Sequence, residues 1–252
     1  MLLFRATYLR SFSKPLPNLL KSRTCPQLNM SKKRKISAGV PENTRSESPP
    51  TVKALTRCEW ASEYAGAGSK EYIHYHDTEW GRPVHDDKIL FEFLVLEGAQ
   101  AGLSWATILK KRSAYRTAFK GFDIDAVTAF GDKEVEALLA PESGIVRHRG
   151  KIKSAINNAK LAQEIVKEHG SFSNYMWSTF LPNGKPIVNK WTCLSQVPSK
   201  SDLSGEMSKT LKKRGFNFVG PTTCYSFMQA VGMVNDHIAG CFCYSICCDL
   251  GR

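Results

Sequence analysis

Residues 206–223, EMSKTLKKRGFNFVGPTT, decide the fold. Residues 206–214 read as a helix that stops at Gly215, and Pro221 suits the first position of the next helix, where its missing N–H is no loss. Between them lies GFNFVG, 215–220, a short apolar run bounded by glycines. Two helices joined this way make a helix-hairpin-helix, with Phe216, Phe218 and Val219 expected to bury. Gly215 and Gly220 let the backbone approach a phosphate, and the amides of Thr222 and Thr223 at the helix start point towards it. Lys212, Lys213 and Arg214 add charge beside it. Such an element holds DNA by its backbone without reading bases.

Outward from the hairpin the pattern stays helical. Asp86-Asp87 opens a helix in which Ile89, Leu90, Phe93, Leu94 and Leu96 recur near the 3.6-residue period. Ser104 caps another, running from Trp105 past Ile108, Leu109 and Tyr115 to Phe119. Weaker helices fall at 124–130 and 134–139. A long one, 151–169, buries Ile152, Ile156, Ala159, Leu161 and Ile165 and stops at Gly170. The next starts at 171–173 and carries Tyr175, Met176 and Trp177. Residues 181–200 hold three Pro and no period, and read as loop. The expectation is an all-α core of roughly eight to ten short helices.

Charge is uneven along the 252 residues. Nine of the 35 Lys and Arg lie in 1–41, where no acid occurs, which leaves 26 basic against 23 acidic residues beyond. Most of the net +12 is therefore tail, and any DNA affinity of the folded part must come from a local patch. Residues 1–29 are rich in Arg, Ser and Leu and lack acids, which fits a transit peptide to mitochondrion or plastid and not a secretory signal. Met30 then opens MSKKRKIS, whose basic cluster 32–35 is of the nuclear-import type, so a second start there would give a nuclear form; the alternative for the whole tail is a solvated segment that brushes polyanions without sequence preference. Residues 36–56 are Ser/Pro-rich linker. Three segments are expected: a disordered basic tail and linker, 1–56; a folded domain, 57–245; and a Cys-containing end, 246–252. No run reaches the roughly 18 apolar residues of a membrane helix, so a membrane is not an expected partner.

Eight Cys, at 25, 58, 193, 224, 241, 243, 247 and 248, lack a secretory context, which disfavours a disulfide framework. His237 and Cys241 are four apart, one helical turn. With Cys58 and His76 they make a Cys2His2 set suited to one structural Zn2+, clipping the start of the domain to its end. Cys243, Cys247 and Cys248 compete for the same role. A catalytic zinc deaminase is disfavoured, because its His-x-Glu and Pro-Cys-x-x-Cys motifs are missing.

The chemistry concentrates in 57–105. Trp60, Tyr72, Tyr75, Trp80 and Trp105 crowd around Glu97, a carboxylate ending an apolar helix beside Gly98 and Gly102. Aromatic faces around a carboxylate suit a flat, cationic heterocycle: the rings stack on it and the carboxylate accepts from its amino group. Burial raises the pKa of such a carboxyl, and a bound cation lowers it.

Cys-Glu-Trp, Tyr-x-x-Tyr-His-Asp-x-Glu-Trp-Gly, Leu-Glu-Gly-x-Gln-Ala-Gly-Leu-Ser-Trp, Ile-Val-Arg-His-Arg-Gly-Lys-Ile and Lys-Lys-Arg-Gly-Phe-x-Phe-Val-Gly occur in order. Cys-Tyr-Ser-Phe-Met-Gln-Ala and Val-Asn-Asp-His-x-x-Gly-Cys follow. Together they resemble the DNA-3-methyladenine glycosylase I family of base-excision repair over about 57–245. The resemblance implies the helix-hairpin-helix glycosylase fold, with structural zinc on Cys58, His76, His237 and Cys241. It implies a pocket where Glu97 and Tyr75 hydrogen-bond a flipped base, Trp105 stacks on it, and Trp60 and Tyr72 line the wall. Leu103 would stand near the emptied duplex position. Gly215, Gly220, Thr222, Lys213 and Arg214 would hold the backbone. The expected partner is double-stranded DNA with alkylated purines, and a monomer is expected. An Asp after the hairpin serves many members of the wider superfamily and makes Asp236 a nominee, but the resembling family works without it. No Lys stands where a lyase nucleophile would be needed, so hydrolysis without strand cutting is expected. A second reading is a zinc-stapled damage-binding module without turnover. An insertion at 64–69 and the Cys-rich end depart from the family pattern.

Overall fold

The structure, a computed structural model, describes residues 55–61 and 70–252. The targeting tail, most of the linker and the insertion at 64–69 lie outside the described residues. Ten α-helices occur among the described residues: α1 (Lys70–Thr78), α2 (Asp87–Gln100), α3 (Trp105–Ala118), α4 (Ile124–Thr128), α5 (Asp132–Leu139), α6 (Arg149–His169), α7 (Phe172–Phe180), α8 (Asp202–Lys213), α9 (Pro221–Ala230) and α10 (Phe242–Leu250). The one sheet among them is a parallel pair of two-residue strands, β1 (Ile187–Val188) on β2 (Val234–Asn235). Two residues are too few to show alternation, so β1 is hidden in a region that reads as loop.

Helix α2 is the axis of the domain. Asp86 caps it by accepting from the amide of Ile89 at 3.0 Å. Asp87 instead reaches across to accept from the amides of Phe172 and Ser173 at 3.0 and 2.7 Å, joining the start of α2 to that of α7. Every residue from Leu90 to Gln100 is buried, whereas Ile89 is exposed. A helix covered on all sides shows no clean stripe. Each of its fully buried Leu and Phe side chains contributes about 1.5–3 kcal/mol. Helices α3, α6, α7 and α9 pack around it.

The segment 206–223 folds as two helices and a tight turn. Helix α8 ends in a Schellman motif: Gly215, at φ +96°, donates to Lys212 O at 2.9 Å and Phe216 donates to Leu211 O at 3.0 Å. Phe216 and Val219 bury as expected, but Phe218 is 38% exposed. Its φ of +57° turns the side chain outward, a conformation that costs a non-glycine residue about 1–2 kcal/mol. Neighbours hold it there. Asn158 on α6 pairs both ways with the Asn217 backbone, at 2.9 and 3.0 Å, and Ser208 Oγ donates to Val219 O at 2.6 Å. Gly98 of α2 lies underneath, where a Cβ would stand 3.3 Å from that of Phe218. The turn therefore rests directly on the helix that carries Glu97.

The C-terminal residues differ from expectation. Residues 246–250 complete α10 and do not form a tail, and Cys247 is buried. Beyond α9, Gly232 (φ +71°) lets the chain pass the backbone of Arg82, 2.2 Å from where a Cβ would stand. Gly81 and Val84 donate there to Gln229 O and Val231 O at 3.0 and 3.1 Å. Those bonds seat the segment after α1 against α9.

Candidate active site and metal cluster

Four elements enclose a cleft of about 260 Å³, part of it open to solvent, lined by Tyr75, Trp80, Glu97, Gln100, Trp105, Ser226 and Gln229. Tyr75 comes from α1 and Trp80 from the turn after it. Glu97 and Gln100, one turn apart, share a face of α2, and Trp105 opens α3 behind its Ser104 cap. Ser226 and Gln229, also one turn apart, come from α9. The rings of Tyr75 and Trp105 sit 5.4 Å apart at 50°.

Glu97 is 5% exposed and accepts no hydrogen bond from any described residue. Burial pushes its carboxyl up to about 7. Burial, and next the charge of Glu97, hold the Tyr75 hydroxyl well above its ordinary value, so it stays a donor. The indole N–H of Trp105 is buried without a partner. Buried polar groups are rarely left so, and the Glu97 carboxylate and the Trp105 N–H give this one cleft an acceptor and a donor open to a polar ligand.

Trp60 and Tyr72, expected on this wall, are elsewhere. Both are buried, ring against ring at 5.3 Å, and Trp60 also meets His76 and Trp80 edge-on at 5.0 and 5.1 Å. Trp60 lines an adjoining cavity together with Trp80, Tyr225 and Asp236, and no side of the Glu97 cleft. Gln100, Ser226 and Gln229 escaped the sequence reading. A signal existed: Gln100 stands at i+3 from Glu97, and the other two lie inside a quoted motif.

Asp236 is buried and fully engaged. It accepts from Asn189 Nδ2 (2.8 Å), Trp191 Nε1 (2.7 Å), Tyr225 OH (2.7 Å) and Gln229 Nε2 (2.7 Å). Its lone pairs are spent on pinning the β1 segment to α9.

Cys58, His76, His237 and Cys241 converge, their ligand atoms all within 4.8 Å of one another. Sγ of Cys58 and Nδ1 of His237 are 3.5 Å apart. Sγ of Cys241 lies 3.5 Å from His76 Nε2 and 3.6 Å from His237 Nδ1. A tetrahedral ion with usual S and N bond lengths sets such edges at about 3.6 Å, so the four donors fit a metal. The outer nitrogens are engaged too: His76 Nδ1 meets Asp77 Oδ1 at 2.8 Å and His237 Nε2 meets Trp80 O at 2.9 Å. Each ring donates its N–H to that partner, which leaves the inner nitrogen with a free lone pair. Arg57 grips Asp77 in turn, at 2.9 and 2.8 Å. Of the competing thiols, Cys243 aims its proton at the carbonyls of His76 and Asp77, and Cys247 and Cys248 join no cluster among the described residues. Hydrogen bonds with Cys243 and Cys58 hold the Cys241 thiol below its ordinary value.

The residues expected to hold DNA ring the turn between α8 and α9. Lys213 and Gly215 are exposed, Thr222 lies in the first turn of α9, and nothing stands within 4 Å of where a Cβ on Gly220 would be. Arg214 is already bound to Glu168 at 2.6 Å and lies over the Tyr175 ring. Leu103, half-buried, sits in the turn between α2 and α3, next to the cleft.

The methyladenine glycosylase family profile matches residues 64–244. DNA-3-methyladenine glycosylase 1 of Escherichia coli is 48% identical over 190 residues, covering 75% of this chain and 97% of that protein. The Haemophilus influenzae DNA-3-methyladenine glycosylase is 46% identical, with 75% and 97% covered. A crystal structure of 3-methyladenine DNA glycosylase I superposes with a TM-score of 0.69 at 47% identity, covering 75% of this chain and all of that one. Nearly half the residues are shared with proteins spanned almost end to end, along a similar backbone path, and the chain belongs to the methyladenine glycosylase family.

Proposed function

We propose that this chain excises 3-methyladenine from alkylated duplex DNA, hydrolysing the N-glycosidic bond to leave a free base and an abasic site. Family membership makes it a DNA glycosylase, a hydrolase of N-glycosyl bonds. The observation that carries the reading is Glu97: a buried carboxylate with no hydrogen-bond partner among the described residues, in an aromatic cleft, beside a turn suited to gripping a phosphate. A flipped cationic purine supplies what the cleft lacks.

The mechanism follows from the substrate's charge. Adenine methylated at N3 is cationic in DNA and departs neutral, so the bond is already weak and little acid catalysis is required. The alkylated base also stacks and pairs poorly, which lowers the cost of flipping. Glu97 accepts from its amino group and balances its charge, Tyr75 donates to it, and the face of Trp105 stacks on it. Leu103 fills the space the base leaves. The α8–α9 turn acts as a helix-hairpin-helix, with Gly215, Gly220, Thr222 and Lys213 on the backbone and Arg214 joining on release from Glu168.

Cys58, His76, His237 and Cys241 hold zinc in this reading. The ion supplies a crosslink between the two ends of the domain and takes no part in the reaction.

Chromatography of bases released from methylated duplex DNA tests the proposal. The expected outcome is free 3-methyladenine, with 7-methylguanine left in place. Glu97→Gln should slow single-turnover release by roughly 100-fold, as for loss of one preorganised polar contact, with duplex binding nearly unchanged. A DNA-binding preparation that releases nothing would favour the binding module.

A further inference from the structure

Helix α6 touches both parts of the proposed DNA-handling face. Near its start, Lys151 donates to Ala99 O at 2.8 Å, in the last turn of α2, and to Ala101 O at 2.7 Å, just past its end. Two turns later, Asn157 donates to Gly215 O at 3.0 Å, and Asn158 makes its paired bonds with Asn217. One rigid helix thus sets the distance between the end of α2 and the α8–α9 turn.

The Lys151 contact is specific. Its ammonium has no carboxylate partner among the described residues and is partly buried, which lowers its pKa. A cation on the exposed carbonyls of a helix end is favourable by charge and by hydrogen bonding. The carbonyls it holds begin the turn 101–104. Within that turn Gln100 and Leu103 exchange two more bonds, Leu103 N to Gln100 O at 2.7 Å and Gln100 Nε2 to Leu103 O at 3.2 Å. Gly102 at its tip has φ +79°, with open space where a Cβ would be. Gln100 and Trp105, at the two ends of this turn, both line the cleft.

We infer that Lys151 is a positioning residue for base flipping, whose ammonium locks the 100–104 turn so that Leu103 stands rigid beside the cleft. This rests on the glycosylase reading above. A loose wedge cannot hold open a gap in a duplex, whereas a base in a single strand needs no wedge. Lys151 should therefore matter for duplex substrate and little for single strands.

The test is single-turnover release of 3-methyladenine from one methylated oligonucleotide, single-stranded or paired, by the full chain and its variants. Lys151→Met should slow duplex release about tenfold or more, and single-strand release by less than about threefold. Lys151→Arg should recover most of the duplex rate. Leu103→Ala should show the same duplex-selective loss, and the double variant should lose little more than either single one. Should Lys151→Met fail to fold, Lys151→Gln, uncharged and too short to reach both carbonyls, carries the same comparison. Parallel loss on both substrates, or no loss on either, overturns the role while leaving the glycosylase reading intact. A wild-type chain that releases no base from either form overturns that reading, and this inference with it.

Discussion

Helix α2 buries two glutamates five residues apart, and the molecule treats them oppositely. Glu92 accepts from Arg112 Nε at 2.6 Å and from Arg116 at 2.9 and 3.1 Å, while Arg112 also holds Glu79 and lies over Phe93. Glu97, equally buried, has no such partner among the described residues. Asp236, in the neighbouring cavity, sides with Glu92: four donors surround it. Burial alone therefore does not mark function. A buried acid with every lone pair used is part of the scaffold, and one left unpaired is held ready for a ligand.

The Cys58, His76, His237 and Cys241 cluster could hold a metal; as the proposed clip it belongs on the scaffold side, and its loss should have the largest effect. Stripping the metal, or Cys241→Ser, should cost about 5 kcal/mol or more and lower Tm by roughly 10–20 °C. Metal stoichiometry and thermal unfolding check it together. Full stability in a metal-free variant would remove the clip.

Glu92→Gln comes next. It leaves Arg112 and Arg116 short of a charge and should cost about 3–5 kcal/mol in denaturant unfolding. Base release per folded molecule should stay near wild type. A fall in rate at unchanged stability would reverse the assignment of the two glutamates.

Glu97→Gln should move stability the other way. The folded carboxyl is raised to about 7, so it keeps its proton where the unfolded chain has lost it. That contribution is complete below the unfolded value and disappears as pH rises through about 7. The variant should match wild type near pH 4 and exceed it by about 3 kcal/mol at pH 8. Identical pH–stability curves would show that Glu97 is not desolvated. In the active enzyme, release should rise with pH through the same window, because the charged form is the one that meets a cation.

Trp105→Phe is the gentlest probe. It removes a buried N–H that has no partner, so folding should change by no more than about 1 kcal/mol in either direction. Affinity for free 3-methyladenine, by titration, should weaken measurably. Strong destabilisation instead would mean that the indole is core and not part of the cleft.

Much of this was legible in residues close together in the chain. The Ser104 and Asp86 caps, the Gly215 and Gly170 stops and Pro221 at its helix start act over a single turn, so spacing suffices to read them. The donor set Cys58, His76, His237 and Cys241 was also readable, because few side chains bind a metal and two of these stand one turn apart. Contacts between distant elements were not. Trp60 and Tyr72 look like pocket residues on composition, yet they pack ring against ring, with Trp60 also against His76 and Trp80, and are not among the residues lining the cleft. Phe218 looks like core until Asn158, from another helix, forces its φ positive.

The sequence by itself determined the family, most of the helices with their caps and stops, and the acid to nominate, since each depends on local geometry or on residue chemistry. Tertiary structure alone decided which buried acid is partnered, which aromatic faces the cleft, and that Lys151 holds the turn beside it. Those depend on which groups meet across 20 to 180 residues of chain, the separations of the Glu92–Arg112 and Cys58–Ile238 contacts. A side chain buried with four donors and one buried with none read the same in one dimension.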